Sequence, residues 1–309
     1  MKKGVARFQP VYVIMILLPC IGLSQTPHFQ RYTFLKKNES VAVNAIYQDH
    51  AGLIWYGTNK GLFKFDGSKF SRFTTADSLP DDNVTAIDSD SLGRIWTGHR
   101  NGRIAYLENG RVKKFSPPEG NATQAVSDIL FDSKGRLWFS TLNDGLYCFS
   151  EGRIFRFDET EGMPDIFVYN IAEDGNGNIW AGTDGGVVAC SLNEKKASIK
   201  VFNYKSGLPD NIIKKLVVDS TGLLWIATEA AGLGTFEPTS GKYKPVLGEE
   251  WNFGAITDFV ITDNKIWIST LQTGLLVFGR KTKDVKVYNT RSGPEFSSIQ
   301  TILNDDEGN

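Results

Sequence analysis

The chain has 309 residues with 41% hydrophobic and 22% charged residues, proportions that exclude a disordered, collagen-like or polytopic membrane protein. Its formal charge is −1, with 34 basic against 35 acidic residues, so no overall basic excess recruits nucleic acid. Two counts stand out, 31 Gly and 7 Trp, and both prove periodic.

Residues 1–24 read as a removable export signal: a basic start (Lys2, Lys3, Arg7), an apolar run from Val11 to Leu18, and the small residue Ser24 before Gln25. The apolar run is shorter than the ~20 residues that span a bilayer, and Pro19 before Cys20 argues against lipidation. Residues 25–309 are expected to form the folded part, in the periplasm. Its two cysteines, Cys148 and Cys190, fall three and four residues after equivalent glycines, on opposite faces of equivalent strands, and read as buried free thiols.

Six tryptophans, Trp55, Trp96, Trp138, Trp180, Trp225 and Trp267, recur at intervals of 41 to 45 residues. Such a period is the size of one four-stranded propeller blade. Six residues before the first five lies an Asp (Asp49, Asp90, Asp132, Asp174, Asp219) and three before lies a Gly. The sixth repeat shortens this turn to Asp263-Asn264-Lys265. Upstream of each turn stand paired apolar positions such as Val43/Ile46, Val126/Ile129 and Ile256/Phe259; downstream, a small-residue turn and a Gly open an alternating run such as Leu62-Phe63-Lys64-Phe65. Each unit therefore reads as four antiparallel strands, and no segment carries a 3.6-residue apolar period. The fold class is all-β, a β-propeller of four-stranded blades. At the ends, Phe29–Thr33 matches a fourth strand, and Ile299–Asn309 matches a first strand and the opening of its turn. The expectation is a seven-bladed ring when complete, here six blades plus part of the seventh.

The run Asp49-His50-Ala51-Gly52-Leu53-Ile54-Trp55-Tyr56-Gly57-Thr58-Asn59-Lys60-Gly61-Leu62 and its copies resemble the two-component regulator propeller repeat from about Phe29 to Asn309. The resemblance implies the periplasmic sensor region of a hybrid histidine kinase that regulates transcription. It also implies a second propeller and a β-sandwich in the full chain, a possible homodimer, attachment to the inner membrane only through later segments, and an oligosaccharide ligand.

Catalysis has no visible constellation: the three His are far apart in sequence and no zinc, Cys-pair or nucleophile-elbow spacing occurs. Asp174-Gly175-Asn176-Gly177-Asn178 opens like a calcium loop, but Gly185 stands where the loop needs its final carboxylate, so no metal and no cofactor are expected. The Asp turn also resembles the Asp-box hairpin of sialidases and is read as structural.

Ligand contacts are expected on the face where the loops after each Trp strand and the inter-blade linkers emerge. Sugars need directional polar groups beside an aromatic platform. The candidates are Trp251 as platform with Glu250, then His99, Arg100, Phe167, Tyr169, Lys214, Asn59 and Asn211. Two other classes stay open: an exported propeller enzyme, of the streptogramin-lyase or glycan-cleaving kind, and an exported protein-binding scaffold.

Overall fold

The computed structural model describes Tyr32 and residues 41–117, 120–193, 196–219, 221–247, 252–289 and 298–307. The export signal, the Phe29–Thr33 strand apart from Tyr32, and the candidates Glu250 and Trp251 lie outside the described residues. Residues 33–309 form one compact unit; of residues 1–32, a separate unit, only the exposed Tyr32 is described.

Six four-stranded antiparallel sheets follow one another, each ordered as its strands occur in the chain. Blade one is Val43–Gln48, Ile54–Thr58, Gly61–Phe65 and Phe70–Phe73; blade two is Val84–Ser89, Ile95–His99, Ile104–Glu108 and Arg111–Phe115. Blade three is Val126–Phe131, Leu137–Thr141, Leu146–Ser150 and Arg153–Phe157; blade four is Val168–Glu173, Ile179–Thr183, Gly186–Asn193 and Lys196–Phe202. Blade five is Ile213–Val218, Leu224–Thr228, Leu233–Glu237 and Lys242–Pro245; blade six is Ile256–Ile261, Lys265–Thr270, Leu275–Gly279 and Val285–Tyr288. First strands of successive blades touch, so the first strand of each sheet is innermost and the fourth lies on the circumference.

The tryptophans explain why the blades stack. Trp138 of blade three packs with Val168, Ile171, Ile179 and Ala181 of blade four, and Trp96, Trp180 and Trp225 repeat the arrangement one blade on each time. A blade alone would leave this face in water; stacking buries it, and an indole contributes roughly 150–250 Å². Cys148 and Cys190 meet in the same core between blades three and four, both as free thiols. Opposite faces of adjacent blades are the two faces that pack together.

The repeated Asp holds the turn that delivers each Trp. Asp49 Oδ1 accepts from the Ala51 and Leu53 amides while Oδ2 accepts from Trp55 Nε1 at 2.7 Å. Asp90, Asp132, Asp174 and Asp219 make the same indole bond at 2.8 to 2.9 Å. Blade six lacks this Asp, and its Trp267 is only half-buried.

Residues 298–307 run beside blade six. The Ile299 amide donates to the Thr270 carbonyl, Ile302 N donates to Asp258 Oδ2, and Asp306 N donates to Gln48 Oε1 of blade one. The segment thus touches both flanking blades. It is not paired as a strand, in contrast to the sequence expectation, because no described second strand lies along it.

Candidate functional site

In every blade the first strand breaks register just after its first residue. The skipped residue is Asn44, Thr85, Ser127, Tyr169, Lys214 or Thr257. A bulge bends the strand and re-aims a side chain, so consecutive residues face the axis where a regular strand would send one away. The result is an axial cavity of about 390 Å³ lined by two tiers of polar side chains.

The outer tier is the set of bulge residues. Asn44 Nδ2 donates to the Val84 carbonyl at 2.8 Å, Thr85 Oγ1 to Val126 at 2.6 Å, Ser127 Oγ to Val168 at 2.5 Å and Thr257 Oγ1 to Ile299 at 2.5 Å. The first three bonds tie one blade to the next and the fourth ties blade six to the segment at residues 298–307, which spends these groups on the scaffold. Tyr169 and Lys214 depart from the pattern. The Tyr169 hydroxyl donates to Asp184 Oδ1 at 2.8 Å and accepts from Lys214 Nζ at 2.8 Å, and the ammonium also lies 4.0 Å from the Tyr169 ring centroid and 3.2 Å from Glu229 Oε2. Burial works against the charge on Lys214, but the Tyr169 hydroxyl and Glu229 hold its pKa above the ordinary lysine range. Burial raises the Tyr169 phenol as well.

The inner tier carries Asp128, Asn170, Lys215 and Asp258. Asp128 Oδ2 accepts from the Ile171 amide at 3.0 Å, Asn170 Oδ1 from the Leu216 amide at 2.7 Å, and Lys215 Nζ sits 3.1 Å from Asp258 Oδ1. The Lys215 side chain keeps 28% of its accessible surface although it lies deep among the blades, because the axial cavity reaches it. Burial opposes its charge, and Asp258 and Asp128 outweigh that to raise its pKa. Burial raises Asp128 despite the opposing pull of Lys215. These charges went unread in the sequence, although Asp128, Lys215 and Asp258 each follow the polar bulge residue Ser127, Lys214 or Thr257, a polar pair near the start of a first strand where strict alternation would place one polar residue, and that conflict marks an unusual backbone.

The remaining candidates scatter around the ring. His99 is fully buried; Nδ1 pairs with the Asp81 carbonyl at 2.8 Å and Nε2 with Thr97 Oγ1 at 3.0 Å, so both nitrogens hold the linker into blade two and no ring edge is left for a ligand. Arg100 is exposed next to it. Asn59 is exposed and accepts from the Ala42 amide, while Asn211 is half-buried and accepts from the Tyr204 amide. Phe167 is 37% exposed and bridges to Leu142, itself 36% exposed, two residues from Tyr169. Of the seven candidates among the described residues, Tyr169 and Lys214 are the pair that meet each other through their side chains. Among the described residues no group of three His, Cys, Asp or Glu is placed to hold a metal, and no helix is long and apolar enough to cross a membrane.

Comparison with known proteins places these observations. Residues 121–143, 162–185 and 207–230 match the family model described as two component regulator propeller. No curated protein matches the chain by sequence. Among solved structures, the extracellular domain of one hybrid two-component system of B. thetaiotaomicron superposes with a TM-score of 0.71 at 20% identity, covering 87% of this chain and 39% of that one. A second from the same organism gives 0.71 at 21% identity, covering 86% and 38%. The chain therefore spans about two fifths of the length of either domain. Virginiamycin B lyase from Staphylococcus aureus shares the fold at 16% identity with a TM-score of 0.60, covering 73% of this chain and 76% of that one.

Proposed function

We propose, from the premise that this chain is built of two-component regulator propeller repeats, that it is the exported, ligand-reading propeller of a signalling receptor. The ligand is an oligosaccharide received at the axial mouth. The observation that carries this reading is the Asp184–Tyr169–Lys214–Glu229 chain of hydrogen bonds on adjacent bulges, the place where the structural belt gives way to groups with spare polar capacity. The Lys214 ammonium has a third donor, Asp184 and Glu229 have further acceptor sites, and the exposed Phe167 ring nearby in the chain supplies an apolar face for a sugar. The proposed ring is seven-bladed, with residues 298–307 as its seventh innermost segment. The Thr257–Ile299 and Asp258–Ile302 bonds repeat those between the other blades, and Asp306 reaches blade one.

In this reading the chain has no catalytic role. A second propeller, a β-sandwich and a membrane-anchored histidine kinase complete the receptor, in a homodimer. A sugar that binds one arrangement of these parts more tightly shifts the population toward it and so alters transcription. Calorimetric titration with a panel of neutral oligosaccharides tests the site. Tyr169→Phe and Lys214→Met each lower affinity roughly tenfold or more, about 1.4 kcal/mol, while leaving the fold intact. Binding unaffected by both would place the ligand elsewhere.

A further inference from the structure

The six outer strands contain eleven Lys or Arg and not one Asp or Glu, in a chain whose acidic and basic totals are nearly equal. Arg111, Lys113 and Lys114 on blade two, Arg153 on blade three, and Lys242 and Lys244 on blade five are all exposed. Among the described residues, ion pairs engage only Lys113, with Glu108, and Arg156, with Asp144 and Asp158. The acidic residues stand instead in the turns, the linkers, the axial cavity and the other strands, among them Glu108 and Glu237, which end third strands opposite Arg111 and Lys242. Charge on an edge strand blocks edge-to-edge pairing, and either sign does so. Edge protection therefore accounts for the presence of charge on the circumference but not for its single sign.

We propose that the circumference of the ring is a binding surface for a linear polyanion, an acidic polysaccharide. The cations are spread over all six blades, whereas a flat bilayer meets one arc at a time. Duplex DNA, with a persistence length of about 50 nm, resists following a small ring, and the exposed positions of the outer strands offer no aromatic ring on which single-stranded bases could stack. A flexible anionic glycan can run from blade to blade, its carboxylates or sulfates meeting one to three cations on each. The surface is separate from the axial mouth and stands whether or not that mouth takes an oligosaccharide.

The test titrates the whole chain with heparin and with polygalacturonate. Binding weakens roughly tenfold or more between about 50 and 200 mM salt, as screening of exposed charges requires. Replacing Arg111, Lys114, Lys242 and Lys244 together by Glu keeps the edges charged and the oligomeric state unchanged but abolishes binding. Hydrogen exchange on the unsubstituted chain is the second measurement: the glycan protects Arg111–Phe115 and Lys242–Pro245. No binding at low salt, equal binding by the quadruple variant, protection confined to the axial mouth, or tighter binding to anionic vesicles or duplex DNA would each overturn the proposal.

Discussion

Asp132→Ala offers a sharp test of the turn that organises each blade. Asp132 is fully buried and accepts four hydrogen bonds: from the Lys134 amide at 3.0 Å, the Arg136 amide at 2.9 Å, Arg136 Nε at 2.5 Å and Trp138 Nε1 at 2.8 Å. Removing the carboxylate leaves the indole N–H of Trp138, which has no accessible surface, without its acceptor. It also strands the guanidinium of Arg136, whose side chain is 10% exposed and otherwise reaches the Leu192 carbonyl of blade four. Breaking one side of a buried ion pair costs about 3–5 kcal/mol, and the orphaned indole adds about 1–3 kcal/mol, partly offset by relaxation. A loss near 4–5 kcal/mol follows. Asp49→Ala in blade one is the matched control, since Asp49 makes the same indole bond with no cation beside it, and it costs about 1–2 kcal/mol. Guanidinium unfolding followed by tryptophan fluorescence, with an unchanged m-value, reads both. Equal losses for the two variants, or a loss below about 1 kcal/mol for Asp132→Ala, would refute the argument that the carboxylate holds a buried cation and indole together.

Burial lowers the His99 pKa to about 4 against the pull of the Asp81 carbonyl, Asp81 and Asp82, so the unfolded chain takes that proton first and stability falls as pH drops from about 6.5 to 4, by about 3 kcal/mol. Burial raises Asp88 to about 6, which works oppositely, adding stability as pH falls from about 6 toward 3.8; His99→Gln therefore gains on the unsubstituted chain between pH 7 and 4.5 in denaturant titrations, and parallel curves would rule this out. Lys215→Met leaves Asp128 and Asp258 facing each other without their cation and lowers stability by about 3–5 kcal/mol at pH 7. Part of that loss is recovered in acid as the carboxyls protonate; a pH-independent loss would show that packing, not charge, is at stake. Tyr243→Phe is neutral or stabilising by up to about 1 kcal/mol, because the buried Tyr243 hydroxyl has no partner among the described residues; a loss above about 1 kcal/mol in thermal unfolding would contradict this.

The blades were legible in the sequence because their signals are local and repeated. An Asp that receives an indole N–H six residues on, a Gly at φ +79° such as Gly52, and an alternating run after it are all satisfied within a dozen residues. The mouth was legible only in part. Tyr169 and Lys214 stand at equivalent positions of neighbouring repeats, so the spacing that places one places the other, and the structure joins them at 2.8 Å. His99 misled because its position after the Trp strand predicts a solvent-facing loop, whereas the linker carbonyl of Asp81, eighteen residues earlier, folds over it and takes its Nδ1. No local pattern encodes that contact.

The basic circumference and the charged inner tier escaped for a common reason. Net charge averages over the chain, and both features exist only after the strands are sorted by their distance from the axis. Once the fourth strand of each repeat is known to be outermost, the run Arg111-Val112-Lys113-Lys114 ceases to be one charged segment among several and becomes an arc of a belt. Once the first strand is known to bulge, Lys214 and Lys215 no longer alternate between mouth and core: both face the axis, one paired with Tyr169 and Glu229 and the other with Asp258. The bulge turns a two-residue sequence step into two tiers of one cavity. A ligand that displaced Lys214 from Glu229 at the mouth would therefore act on the same bulged strand that holds Lys215 between the blade-three and blade-six carboxylates, giving the ring a direct physical link from its mouth to its centre.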